Sequence, residues 1–420
     1  MRFFNAPTPR RSVGHSPAPS VASLLAEPDN NVALDRGQGY HARSSGATFN
    51  LHLGSAEGPR VRSIEPYLHA LVDVGGSDLH IKAGVVPRIR LDGVLRPLRA
   101  EPLDPAETSA MLNQIMRPDL ADEFALTGEA DFAYMIEGVG RFRVNAFRQR
   151  GHVGLVMRRV SVGAIPLAEL GVPDPVYGLA MEPRGLILVT GPTGSGKTTT
   201  LAGMIDEINN HRDVHIVTIE DPIEVIHNDN RALINQREVR IDTADFRVAM
   251  RAAMRQDPDV ILIGEMRDTE TVHAALSAAE TGHLVLSTLH TVDVQETVSR
   301  IIDFFPPHEQ QQIRISLAGA LRGVLCQRLV PRADGQGRCV AMEIGINTGR
   351  VADAIVDRAK TGSITQLVQQ GSFYGMQSFD QHLVILYRDK VITLEAAMEA
   401  SSSPHDLEVE LRRLGLVASV

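Results

Sequence analysis

Gly191-Pro192-Thr193-Gly194-Ser195-Gly196-Lys197-Thr198 spell a complete G-x-x-x-x-G-K-[ST] loop. A loop of this kind lets backbone N–H groups and a helix N-terminus wrap the phosphates of a nucleotide. The glycines are needed because the backbone must approach closely and take conformations that a Cβ forbids. Lys197 is placed to reach the β- and γ-phosphates of a nucleoside triphosphate such as ATP, and the Thr198 hydroxyl to ligate Mg²⁺. The loop alone does not separate a motor from a kinase or a switch.

Three further clusters narrow the chemistry. Thr218-Ile219-Glu220-Asp221-Pro222-Ile223-Glu224 closes the apolar run that starts at His215. Ligands of open parallel sheets sit at the carboxyl ends of strands. The three carboxylates there, Glu220, Asp221 and Glu224, are either holders of Mg²⁺ and its waters or a solvated acidic turn. Next, Asp259-Val260-Ile261-Leu262-Ile263-Gly264-Glu265-Met266-Arg267-Asp268 is a hydrophobic strand followed by an acid. Glu265 is the candidate base that orients and deprotonates an attacking water. Arg267 and Asp268 read as a salt-bridged helix start.

His283 and His290 flank the following strand. At that strand's end, His290 could sense a γ-phosphate, since an imidazole near neutral pKa donates to phosphate and changes state with it. His283 is either part of the same device or a core histidine. Zinc is the weaker reading, because strand separates the two and no further Cys or His ligand is nearby. Charge on a transferred phosphate usually calls for an arginine, and none in this part of the chain stands out. Arg141 and Arg143 alternate along Gly140–Arg148 and so share a face, and Arg90 lies between Ile89 and Leu91. That basic face either completes a nucleotide site across a subunit boundary or is merely solvated.

These residues need a scaffold. From about Arg184 to Met342 strands alternate with helices, the mark of a parallel sheet with helices on both faces. Expected strands are Leu186–Thr190, His215–Ile219, Val260–Ile263 and His283–Thr288, with a hairpin from Cys326–Val330 and Cys339–Ile344 around Asp334-Gly335. Beyond Gly349 the pattern is helical to the C-terminus. An α+β domain precedes the sheet, with helices over Glu65–Val74, Pro105–Ile115 and Pro118–Leu126. Its strands fall in Asp78–Ile81, Pro87–Asp92, Val94–Arg96, Asp131–Ile136, Gly140–Arg148 and Val153–Val160. Residues 1–60, rich in Pro, Ser, Gly and Ala, read as a disordered arm. The expected division is thus 1–60 arm, 61–165 N-terminal domain, 166–183 Pro-bearing linker, 184–348 αβ domain and 349–420 helical region.

Composition bounds the rest. The 420-residue chain carries a formal charge of −9, which argues against nucleic acid as the main partner. Its two cysteines, Cys326 and Cys339, suit a reducing cytoplasm and exclude a four-cysteine zinc site made by this chain alone. No apolar run approaches the roughly 18–20 residues of a membrane span.

Taken together, the loop, T-I-E-D-P-I-E, the I-N-Q-R-E-V of Ile234–Val239, D-P-D-V-I-L-I-G-E-M-R-D and A-A-E-T-G-H-L-V-L-S-T-L-H-T resemble the secretion-superfamily ATPases. Within these the chain is most similar to the retraction ATPases of type IV pili. S-D-L-H-I (Ser77–Ile81), I-R-L-D-G (Ile89–Gly93), G-R-F-R-V-N-A-F (Gly140–Phe147) and G-M-Q-S-F-D (Gly375–Asp380) match as well. The resemblance implies an α/β fold: a RecA-like P-loop ATPase domain, a PAS-like α+β N-terminal domain and a helical C-terminal region. It implies a homohexameric motor with ATP and Mg²⁺ at each site, working in the cytoplasm on a platform protein of the inner membrane at the pilus base. Carried over by position, Lys197 and Thr198 hold phosphates and Mg²⁺, Glu220 belongs to an acidic box, Glu265 is the catalytic glutamate, and His283 and His290 form a histidine box. N-terminal arginines, with Arg90, Arg141 and Arg143 as candidates, would help to sense the nucleotide. The family's A-I-R-N-L-I-R-E helix is matched only loosely by Val351–Arg358, which leaves the direction of such a motor open. The missing four-cysteine cluster weighs against the pilus-extension and type II secretion branches.

Overall fold

The computed structural model describes residues 49–50, 62–91 and 93–417. The expected arm therefore lies, apart from Phe49–Asn50, outside the described residues, as does Asp92. The chain divides into two compact units, one ending at Val160 and the other beginning at Ser161.

In the N-terminal unit, strands Asp78–Lys82, Arg88–Leu91, Val94–Arg99, Glu129–Ile136, Gly140–Gln149 and His152–Arg159 form an antiparallel sheet, and Phe49–Asn50 pairs parallel to Leu98–Arg99 at its edge. Alternation decides which face is covered. Phe142, Val144 and Ala146 are buried, with Tyr67, Leu68, Leu71, Met111 and Leu112 from the helices in the same core. The helix Pro105–Ile115 has the expected bounds, because Asp104 and Glu107 form a reciprocal capping box ahead of Pro105.

The second unit is built on a seven-stranded sheet in the order Leu233–Glu238, His215–Glu220, Val260–Ile263, Leu284–Leu289, Gly185–Thr190, Leu321–Pro331, Arg338–Ile346. All neighbours run parallel except the last pair, the expected hairpin. Apolar side chains cover both faces, as strands without alternation require. Ile187, Val189, Leu262 and Leu286 pack with Leu201, Met204 and Ile208 of the helix Lys197–His211. Leu186, Leu188, Ile261 and Val285 pack on the other side against helices that run on into the C-terminal region, where Val351, Phe379, Leu383 and Leu411 share the same core.

Residues 166–183, read from the sequence as a linker, carry the helices Leu167–Leu170 and Pro175–Ala180. Leu167, Val176 and Leu179 are buried in the core beside the Lys197–His211 helix. The prolines start a helix here instead of breaking the chain. The strand Leu233–Glu238 is a sheet edge whose polar Asn235, Gln236 and Arg237 hide it from a hydrophobicity pattern.

Two buried ionisable groups lie where the last strand packs on the helix Phe379–Arg388. His382, 5% exposed, accepts the Met342 N–H at Nδ1 over 2.9 Å, and burial lowers its pKa to about 4. Glu343, 6% exposed, is pushed up by burial to about 7. Below pH 6.5 the unfolded chain gains a proton at this histidine that the folded protein refuses, so acidification toward pH 4 costs stability. Glu343 has the opposite sign: the folded protein keeps a proton that the unfolded chain has lost, so its contribution fades as pH rises from 4.5 to about 7. His382→Gln, which keeps an acceptor for Met342, is expected to remove about 2 kcal/mol of destabilisation between pH 6.5 and roughly pH 5. Thermal melts of both proteins across that range check it; parallel melting curves would contradict it.

Candidate active site

Three parallel strands end side by side, and their ends supply the site. Each of the helices Phe246–Ala253, Thr269–Glu280 and Val294–Asp303 is capped by an aspartate, Asp245, Asp268 and Asp293, that accepts a backbone N–H of the first turn. The helix Lys197–His211 instead begins at Gly196, in the left-handed region with φ +89° and with no side-chain cap. Its first amides thus lack a side-chain acceptor, the arrangement an anion requires.

The loop ahead of it is pressed against the strand Leu321–Pro331. Gly191 has φ +139°, and a Cβ there would run into the Gln327 carbonyl and lie 2.7 Å from Ser195 Oγ. Gln327, 1% exposed, donates from Nε2 to the Ser195 carbonyl over 2.7 Å and fixes the loop from below. Lys197 Nζ donates to the carbonyls of Gly191 at 2.8 Å and Pro192 at 3.1 Å, so the ammonium spans the loop mouth. Burial lowers its pKa, against the pull of Glu265 and Glu224.

A cleft of about 660 Å³ opens over the loop. Thr193, Gly194, Gly196, Lys197 and Thr198 line it, and Glu220, Glu265 and His290 face them. Gly191, Pro192 and Ser195 form the loop's own frame. Glu265 is held at both oxygens: His290 Nε2 lies 3.2 Å from Oε1, and Arg267 reaches Oε2 through Nη2 at 2.7 Å and Nε at 2.8 Å. The strand ends are laced together by Thr288 Oγ1 donating to the Gly264 carbonyl at 2.7 Å and by Met266 N–H donating to the Thr288 carbonyl at 3.2 Å. Glu220, 8% exposed, accepts at Oε1 from the Thr218 hydroxyl at 2.6 Å and from Gln236 Nε2 at 3.2 Å. Burial raises its pKa, although those two donors favour the charged form.

Arg267 and Asp268 do not pair with each other. Asp268 caps the helix while Arg267 grips Glu265. The αβ domain also supplies arginines that the sequence did not single out, since Arg267 and Arg338 both line the cleft. Gln236 and Gln327 were missed too; the available signal was a glutamine inside a strand, a polar group that must find partners when buried. His283 sits at the opposite end of the strand, where it begins, with Nδ1 2.9 Å from the Ala278 carbonyl. The six-residue strand Leu284–Leu289 sets it about 20 Å from His290.

Arg90, Arg141 and Arg143 belong to the N-terminal unit. Arg143 lines a cavity of about 280 Å³ with Asp78, Asp131, Asn145 and Arg158. Arg90 Nε lies 3.6 Å from Asp78, and Arg158 Nε donates to the same carboxylate over 2.8 Å. Although burial pushes the Asp78 pKa up, the Ser77 hydroxyl and Arg158 outweigh it and lower it. Arg90 and Arg158 thus flank a buried acid, with Arg143 lining the same cavity.

The chain matches the family described as type II/IV secretion system protein over residues 55–397. It belongs to that family. It is 43% identical over 332 residues to the type IV pilus retraction ATPase PilT of Pseudomonas aeruginosa, spanning 79% of this chain and 96% of the relative. The type IV pilus ATPase PilU of the same organism is 40% identical over 348 residues, 83% of this chain and 91% of its own. A crystal structure of the pilus retraction motor PilT with bound ADP superposes with a TM-score of 0.77 at 44% identity, covering 83% of this chain and 99% of that one. The mixed α/β architecture is thus that of the secretion ATPases. Among the described residues no helix is long and apolar enough to cross a membrane.

The donor set suits Mg²⁺. Oxygen donors from Thr198 and Glu220 line the cleft, and among the described residues no three His, Cys, Asp or Glu side chains converge on a metal position. Mg²⁺ is commonly held by one or two protein oxygens, with waters and substrate phosphates completing its shell.

Gly191→Ala places a methyl against the Gln327 carbonyl and strains the backbone. It is expected to weaken nucleotide binding by about tenfold or more, because the loop must shift off the strand Leu321–Pro331 to make room for the methyl. Titration with a fluorescent ATP analogue checks this, and wild-type affinity in the variant would contradict it.

Proposed function

We propose that the chain is an Mg²⁺-dependent ATP hydrolase that works as a homohexameric motor and powers retraction of type IV pili. The observation that carries the proposal is Glu265 fixed between His290 and Arg267 across one cleft from Lys197. Near-full-length similarity to the P. aeruginosa retraction ATPase supports the biological role.

In this reading the loop amides and Lys197 hold the phosphates, Thr198 and Glu220 position the cation, and Glu265 takes a proton from the attacking water. Held by Thr198 and Glu220, Mg²⁺ would supply neutralisation of the charge on the phosphates. His290 shares the Glu265 carboxylate, so a change at the phosphate end of the cleft reaches the His290–Thr291 loop directly. Arg267 and Arg338 are the cleft's own cations for the developing charge. Arg90, Arg141 and Arg143 are assigned to completing a neighbouring subunit's site. The protein then acts at the cytoplasmic face of the inner membrane, on the platform protein of the pilus base.

The loose match of Val351–Arg358 to the family's A-I-R-N-L-I-R-E helix favours one second reading, an accessory ring subunit that works beside an active motor. The two readings differ in what the purified chain does alone. Phosphate release from ATP is expected to need Mg²⁺, to stop with EDTA, and to fall by about a hundredfold or more in Lys197→Ala, the scale of losing a phosphate clamp. In cells lacking the gene, wild type is expected to restore pilus retraction and Lys197→Ala to fail. Turnover only in the presence of a partner ATPase would transfer the assignment to the accessory reading.

A further inference from the structure

The edge strand Leu233–Glu238 carries a side chain that reaches in two directions. Gln236 pairs in register with Thr218 on the neighbouring strand. Its Nε2 donates to Glu220 Oε1 at 3.2 Å and to the Val225 carbonyl at 2.9 Å, while its Oε1 accepts the His227 N–H at 2.8 Å. The amide therefore grips the backbone on both sides of Ile226, as a strand residue would.

The opposite edge of the same short segment is also paired. Val225–Ile226 runs parallel to Ser161–Val162, and Gly163 N–H donates to the Ile226 carbonyl over 2.8 Å. Ser161 is the first residue of the second unit, directly after the N-terminal unit ends at Val160. Three links thus connect the carboxylate in the cleft with the chain's crossing from one unit to the next: Glu220 to Gln236, Gln236 to residues 225–227, and those residues to Ser161–Gly163.

We propose that Gln236 is a positioning residue that transmits the state of the Glu220 carboxylate to the Ser161–Gly163 segment. The inference rests on the nucleotide-binding reading of the cleft. When a ligand draws Glu220 toward the cleft, the shared amide must follow it or release it. Either response changes the grip on Val225 and His227, and through them the pairing of Ser161–Val162. A two-residue ladder with so few bonds of its own opens cheaply, so a single side-chain amide is enough to bias it.

The test is hydrogen exchange of the full chain with and without ADP and Mg²⁺, read at the Gly163 amide. In wild type, ADP is expected to change that exchange rate by about tenfold, within the range of local opening equilibria. In Gln236→Leu the change is expected to shrink below about twofold while the ADP dissociation constant stays within about threefold of wild type. A residue of purely structural use would alter exchange equally in both states and leave the ADP effect intact. Should Gln236→Leu fold poorly, Gln236→Asn keeps the amide but is one methylene too short to bridge, and the same loss is expected. Wild type that binds ADP without a change at Gly163, or a variant that keeps the full change, overturns the inference alone. Wild type that binds no ADP overturns the nucleotide reading and the inference together.

Discussion

The uncapped start of the helix Lys197–His211 is the constraint on which the rest of the site depends. The helices Phe246–Ala253, Thr269–Glu280 and Val294–Asp303 begin with aspartates that accept a first-turn amide. Here glycine replaces the cap, and the loop is wedged so tightly on the strand Leu321–Pro331 that Gly191 has no room for a Cβ. The local cost of open amides and positive φ is met by the buried Gln327 amide below and the Lys197 ammonium above. Glu220, Glu265 and His290 face that helix start because parallel strands in register finish at one end of the sheet.

The second organising feature is how closely the reactive carboxylates are held. Glu265 meets a cation or imidazole at each oxygen, and Glu220 meets a hydroxyl and an amide at one. Side chains fixed by partners in this way need little reorganisation when charge develops beside them. The partners are also exits from the site. His290 leads into the loop before the Asp293 cap, and Gln236 leads to the segment joined to Ser161–Val162.

Much of this was legible in the sequence, for identifiable reasons. The strands Gly185–Thr190, Val260–Ile263 and Leu284–Leu289 are continuous apolar runs, and the phosphate loop has a fixed spelling. The pairing of Arg267 with Glu265 was not legible, because sequence gives adjacency but not which way a side chain turns after a strand ends. The separation of His283 from His290 follows from strand rise, since two histidines flanking one strand lie at its opposite ends. Leu233–Glu238 was hidden by its polar residues, and those same residues turned out to hold Glu220 and the Val225–His227 backbone. The short helices at 167–180 were obscured by prolines that start helices as readily as they end them.

The most direct test of the account is a comparison of wild type with Glu265→Gln, measuring ATP binding and single-turnover phosphate release in parallel. Glutamine keeps the size of the side chain and one acceptor oxygen for Arg267 but removes the charge and the base. The account requires binding within a few fold and a release rate lower by about a hundredfold or more, the contribution expected of a general base. Equal release rates in the two proteins would contradict it and move the role of base to another carboxylate of the cleft, with Glu220 first.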